Sequence, residues 1–149
     1  MKKKTITLLL SVVLTAGMLV GCGSSKGMKD GSYNAEFDTF DDHNWKAQVS
    51  IKVSDGKITE STFDYINQDG NFKSKDAGYQ DKMTKVAGIG PIEFSAQYPQ
   101  ALVEKQDPTT VDVITGATSS GADFKALADA AIQYANSGKT ETAVVKAAK

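Results

Sequence analysis

Arginine is absent from this chain, so its whole positive charge is carried by lysine, seventeen residues set against eighteen acidic ones for a net charge of −1 over 149 residues. Nucleic-acid recognition leans on the planar guanidinium for base edges and phosphate forks, and a lysine-only, slightly acidic chain argues against that class of partner. Cysteine and histidine occur once each, as Cys22 and His43. One of each cannot assemble a Cys/His zinc set or a Cys-x-x-Cys-His haem attachment. A Ser-His-Asp triad would have to use His43, yet no nucleophile elbow accompanies it, which makes a hydrolase a poor fit. Asp38, Asp41 and Asp42 flank that histidine without the spacing of a calcium loop and read as a solvated turn. No metal site is expected, and no sequence repeat of fixed period is present. With no redox-active side chain to use, this chain could carry electrons only through an added cofactor.

What is present begins at the N-terminus. Lys2, Lys3 and Lys4 precede an apolar run from Leu8 to Val20, which ends in Leu19-Val20-Gly21-Cys22. The run is too short and wrongly flanked for a stable span and reads as a secretory signal, residues 1–21. The tetrapeptide has the form of a lipobox, in which Cys22 is lipidated and becomes the mature first residue. Several acyl chains on one residue would satisfy the two-signal rule for stable anchoring. Residues 22–29, rich in Gly and Ser, form a short tether. Loss of the signal leaves 128 residues, one domain's worth, and takes three lysines and no acid, so the mature chain carries fourteen positive charges against eighteen negative, a net −4.

Residues 30–136 hold the expected domain. Gly31 to Phe37 reads as a strand, and Ala47, Val49, Ile51 and Val53 alternate with polar residues as one face of a sheet. Asp55-Gly56 is a two-residue hairpin signal, with Lys57 to Ile66 returning as a third strand. After a polar loop, Tyr79, Met83 and Val86 fall at i, i+4 and i+7 of a helix over about 76–86. It stops at Gly88-Ile89-Gly90, and Pro91 opens a second helix that bends or restarts at Pro99. Val111 to Ile114 favours a further strand before the last helix. The order β-β-β-α-α-β-α makes an α+β domain, an antiparallel sheet with helices packed on it. Residues 137–149 are polar and alanine-rich, a tail expected to fray.

The most distinctive stretch is Asp112-Val113-Ile114-Thr115-Gly116-Ala117-Thr118-Ser119-Ser120. Phe124, Leu127, Ala128, Ala131, Tyr134 and Ala135 follow at helical spacing, so the hydroxyls lie where a helix begins, as N-cap residues would. Unpaired N–H groups and the positive end of the dipole suit a phosphate there. By residue chemistry alone, an ordinary capped turn is the more frequent meaning of such a pattern. Gly88-Ile89-Gly90-Pro91 has neither dinucleotide nor Walker spacing and reads as a helix break. Trp45, Tyr79, Met83 and Tyr98 could cover a flat cofactor, although aromatic and Met residues at helical spacing are more often core.

Asp112 followed by Thr115-Gly116-Ala117-Thr118 resembles the Asp-x-x-[Ser/Thr]-Gly-Ala-[Thr/Ser] flavinylation motif of the FMN-binding domain family. That family includes peripheral subunits of NADH:quinone reductases and Rnf complexes, and flavin lipoproteins of extracellular electron transfer. The resemblance implies covalent FMN, joined through a phosphoester to Thr118 by a separate flavin transferase that uses FAD. It implies that Asp112 and Thr115 shape the turn and its recognition, and that Gly116, Ala117 and Ser119 keep it small and accessible. A Gly-x-Gly segment lies near the isoalloxazine in related domains, which makes Gly88, Ile89 and Gly90 candidate ring contacts. The function implied is a lipid-anchored electron carrier on the extracytoplasmic face of the membrane, an electron shuttle more than an enzyme with its own substrate. A quinol-linked membrane donor and an extracellular acceptor would be its partners. The alternatives are a lipid-anchored binding module that never receives flavin, and an accessory flavin subunit of a membrane redox complex.

Overall fold

The computed structural model describes residues 27–148; the expected signal, lipobox and Cys22 lie outside the described residues. Three consecutive strands, β1 (Gly31–Phe37), β2 (Lys46–Ser54) and β3 (Lys57–Ile66), form an antiparallel meander. Helices α1 (Ala77–Ala87) and α2 (Pro91–Lys105) follow, then α3 (Thr118–Ser137) and a short strand β4 (Ala143–Val145). The sheet order is β3-β2-β1-β4, with β4 parallel to β1. The result is a small α+β domain, a mostly antiparallel four-stranded sheet with three helices packed on it.

The alternating residues decide which face is covered. Tyr33 and Ala35, Ala47, Val49, Ile51 and Val53, and Phe63 and Tyr65 point to one side and are buried. Helix α2 lies over β3, and α3 over β1 and β2. Phe63 packs at 5.3 Å from Phe124 and 6.3 Å from Tyr98, and Tyr98 stacks on Phe124 at 5.5 Å, which ties both helices to the sheet. Asp55 and Gly56, both with positive φ, make the tight β2–β3 turn that their sequence signals.

Three expectations are corrected. Val111 to Ile114 is not a strand: a 3-10 turn over Pro108–Thr110, with the Asp107 carboxylate accepting the Thr109 N–H, leads into irregular chain. Only Val111 is buried while Val113 lies open to solvent, so these β-branched residues have no strand beside them to pair with. The helix that opens at Pro91 does not restart at Pro99. It runs unbroken to Lys105 with the Pro99 ring buried, so the core packs against the one interior position of the helix that lacks an N–H. Finally, the tail expected to fray carries β4. Val145 accepts the Asp38 N–H at 2.8 Å, the Asp38 carboxylate accepts the Ala147 N–H at 3.0 Å, and Ala143 is buried.

Candidate functional site

The motif folds as a pinned turn. Ala117 donates its N–H to the Ile114 carbonyl at 3.0 Å, and Gly116 holds φ at 84°, the left-handed region a side chain resists. A Cβ on Gly116 would collide with the Ala87 carbonyl oxygen and lie 2.9 Å from Ile89 Cγ2. The expected Gly-x-Gly segment, residues 88–90, is thus brought against the motif turn through Ile89. Beneath the turn, the buried Tyr98 hydroxyl accepts the Ile114 N–H at 3.1 Å and donates to the Ala117 carbonyl at 2.9 Å. Tyr98 can come so close because Gly121 has no side chain; a Cβ there would lie 2.9 Å from Tyr98 Cζ and nearer still to its oxygen.

On the outer side, Lys105 donates to the Asp112 carboxylate at 2.6 Å and to the Thr110 carbonyl at 2.7 Å. That hydrogen bond, with the lysine charge, holds the exposed Asp112 carboxyl below its usual range. Asp112 therefore fastens the approach to the turn rather than reaching into the protein.

The hydroxyls expected to cap α3 do not cap it. The N-cap is Ala117, with no side-chain cap hydrogen bond, and Thr118 is the first helical residue. Thr115, Thr118 and Ser119 are exposed, and among the described residues none of their side chains has a hydrogen-bond partner. Ser120 alone turns inward and is buried. A cap consumes its hydroxyl in an N–H bond; here Thr118 keeps its oxygen free at the N-terminus of a twenty-residue helix.

Of the flat residues expected near a cofactor, Tyr98 lies in the core and serves the turn. Trp45 and Tyr79 meet edge to face at 6.0 Å, with Met83 packed partly buried on the core. The Asp41 carboxylate sets Trp45 by accepting its N–H at 2.8 Å as well as that of His43 at 2.9 Å, the work of an Asx turn. Between these rings lies a residue the sequence did not point to. Lys73 is buried, with its ammonium 4.3 Å from the Tyr65 ring centre, 4.4 Å from Tyr79 and 5.6 Å from Trp45. The Tyr65 hydroxyl donates to Asp123 at 2.7 Å. Burial raises the Asp123 carboxyl, against the opposing pull of that hydrogen bond and of Lys73, and burial likewise raises the Tyr65 phenol. Asp123 and Ser120 stand in the first two turns of α3, the end that carries Thr118.

Asp112, Thr115, Gly116, Ala117 and Thr118 thus form a pinned turn that presents a free hydroxyl at a helix N-terminus on a small α+β domain. The chain belongs to the FMN-binding domain family, whose model matches residues 43–133 and so spans both the aromatic cluster and the motif. It is 36% identical over 131 residues to the 15 kDa lipoprotein of Treponema pallidum (strain Nichols), covering 88% of this chain and 93% of that protein. The crystal structure of a Clostridium perfringens protein, 48% identical, superposes with a TM-score of 0.79 over 81% of this chain and 99% of that one. A solution structure from Clostridium thermocellum, 32% identical, gives 0.52 over 76% and 95%.

Proposed function

We propose that this protein is a lipid-anchored extracytoplasmic electron carrier whose FMN is held covalently on Thr118. The observation that carries the reading is the Thr118 hydroxyl, exposed and unbonded at the first position of α3, on a turn whose backbone is fixed from below by Tyr98 and from the side by Ile89. The residues fit the group. A transferase needs an accessible oxygen with small neighbours, and Gly116, Ala117 and Ser119 supply them. In the attachment, Thr118 Oγ forms the new P–O bond to the FMN phosphorus while the P–O–P bond of FAD breaks and AMP leaves with the hydroxyl proton. The flavin then supplies the electron chemistry. The protein's share is to keep it attached outside the cell, where a loosely held cofactor would be lost.

Two further observations support the anchored form. Cys22 closes a lipobox-like tetrapeptide after a secretory signal, and a relative matched over most of both chains is itself named a lipoprotein. The donor is taken as a membrane quinol-linked system and the acceptor as extracellular. The anchor on this reading is Cys22.

The test is mass spectrometry of the chain co-expressed with and without a flavin transferase. A transferase-dependent gain of one FMN less water, localised to Thr118 and abolished in Thr118→Ala but kept in Thr118→Ser, supports the reading. No gain, with a control protein loaded in the same cells, overturns it and leaves a lipoprotein binding module whose turn merely starts a helix.

A further inference from the structure

Lys73 is the feature the attachment site does not explain. Burying an ammonium is costly unless a counter-charge accompanies it. Among the described residues no carboxylate forms an ion pair with Lys73; the nearest company is three aromatic faces. Its backbone is held deliberately. Phe72 bridges to Ile66, and Ser74 donates both its N–H, at 3.2 Å, and its hydroxyl to the Asp64 carboxylate of β3, so the 3-10 turn at Lys73–Lys75 cannot swing out. The cage is also joined to the attachment helix: Tyr65, whose ring carries the ammonium, is bonded through its hydroxyl to Asp123, which stands five residues beyond Thr118.

We propose, resting on the flavin reading above, that Lys73 supplies a fixed positive charge to the isoalloxazine of FMN carried on Thr118 and thereby favours the reduced flavin. A flavin that takes up two electrons and one proton gains one net negative charge, carried on the pyrimidine part of the ring. A buried cation beside it would offset that charge, and the aromatic cage keeps the cation in place with no carboxylate in ion-pair contact among the described residues. The charged and titratable groups around Lys73 are Asp123 from α3, Tyr65 from β3 and Tyr79 from α1. Asp123 is the one whose charge opposes the effect, and its carboxylate is engaged by the Tyr65 hydroxyl.

The experiment uses the full chain loaded with flavin by a co-expressed transferase and titrated with dithionite and indicator dyes. Lys73→Met fills the cage with an uncharged side chain of similar length. Mass spectrometry should find the same covalent flavin content as wild type, while the reduced-to-oxidised ratio at a given potential falls at least tenfold, a midpoint about 30 mV lower for a two-electron couple. Lys73→Arg, which keeps the charge, should stay within threefold of wild type. A loaded Lys73→Met with a wild-type midpoint overturns the proposal and leaves the flavin reading standing. Should that variant not fold, the wild-type potential measured from pH 5 to pH 8 decides. A slope of one proton per two electrons throughout, about 30 mV per pH unit, supports a charge held on the reduced flavin. A two-proton slope below pH 6 overturns it. Wild-type chain that takes up no flavin overturns the flavin reading and this proposal together.

Discussion

Tyr98 controls the motif from outside it. Its hydroxyl bonds one N–H and one carbonyl of the turn, so Tyr98→Phe leaves the Ile114 N–H without that partner and the Ala117 carbonyl with the Gly121 N–H alone, at a cost of about 1–3 kcal/mol. Urea denaturation should record that loss, and flavin attachment should slow although the Thr118 hydroxyl is untouched. Gly116→Ala should be harsher, since it forces a side chain into positive φ and into the Ala87 carbonyl. A destabilisation of roughly 2–4 kcal/mol is expected, and wild-type stability in that variant would show that the turn relaxes away from α1. Asp123 gives a pH signature. Because its folded pKa is raised by burial, it favours the folded state while protonated, and that contribution is lost as pH rises through the folded pKa. Asp123→Asn should therefore match wild-type stability near pH 3 and exceed it at pH 7; a constant difference across denaturation curves at the two pH values would refute the assignment. These residues differ in how legible they were. Thr118, Asp112 and Gly116 announce themselves as a contiguous pattern, whereas Lys73, Tyr65 and Asp123 are scattered through the chain and mean nothing until β3, the 3-10 turn and α3 meet.

At the scale of elements, period is what made strands and helices readable. The alternation in β2, the Asp55-Gly56 turn and the i, i+4, i+7 spacing in α1 each repeat over enough residues to stand above noise. Two elements lacked that length. Val111 to Ile114 has strand propensity but only one buried side chain, and propensity yields to packing when no neighbouring strand is in reach. β4 is three residues long and exists because β1 offers a free edge and Asp38 receives the chain beyond it. The α3 start was misread for a different reason: Ser and Thr at a helix entry usually cap it, and here the turn closed by Tyr98 leaves them free. The edge role of β4 is measurable. A chain ending at Lys139 loses the buried Ala143 and the backbone hydrogen bonds to β1 and Asp38, a deficit of roughly 2–4 kcal/mol from three or four bonds. It also bares the edge of β1, so the shortened chain should unfold several degrees lower and associate more readily at high concentration. Unchanged melting would make β4 an ornament of the fold.

For the molecule as a whole, the proposed anchor and the proposed cofactor solve one problem, that of keeping an electron carrier and its electrons near a membrane source. An anchored domain meets a membrane donor at an effective concentration set by its tether, on the order of millimolar for a short flexible one. A released domain meets it only at its bulk concentration. Cys22→Ser separates these effects because Cys22 lies far in sequence from the folded residues that form the site. The variant should carry the same covalent flavin as wild type and show the same midpoint potential, yet leave the membrane fraction and be reduced by quinol-charged membranes at least tenfold more slowly at micromolar protein. Equal reduction rates with the variant fully soluble would mean that the donor is itself diffusible, and the lipid would then serve to retain the protein rather than to speed its encounter with the donor.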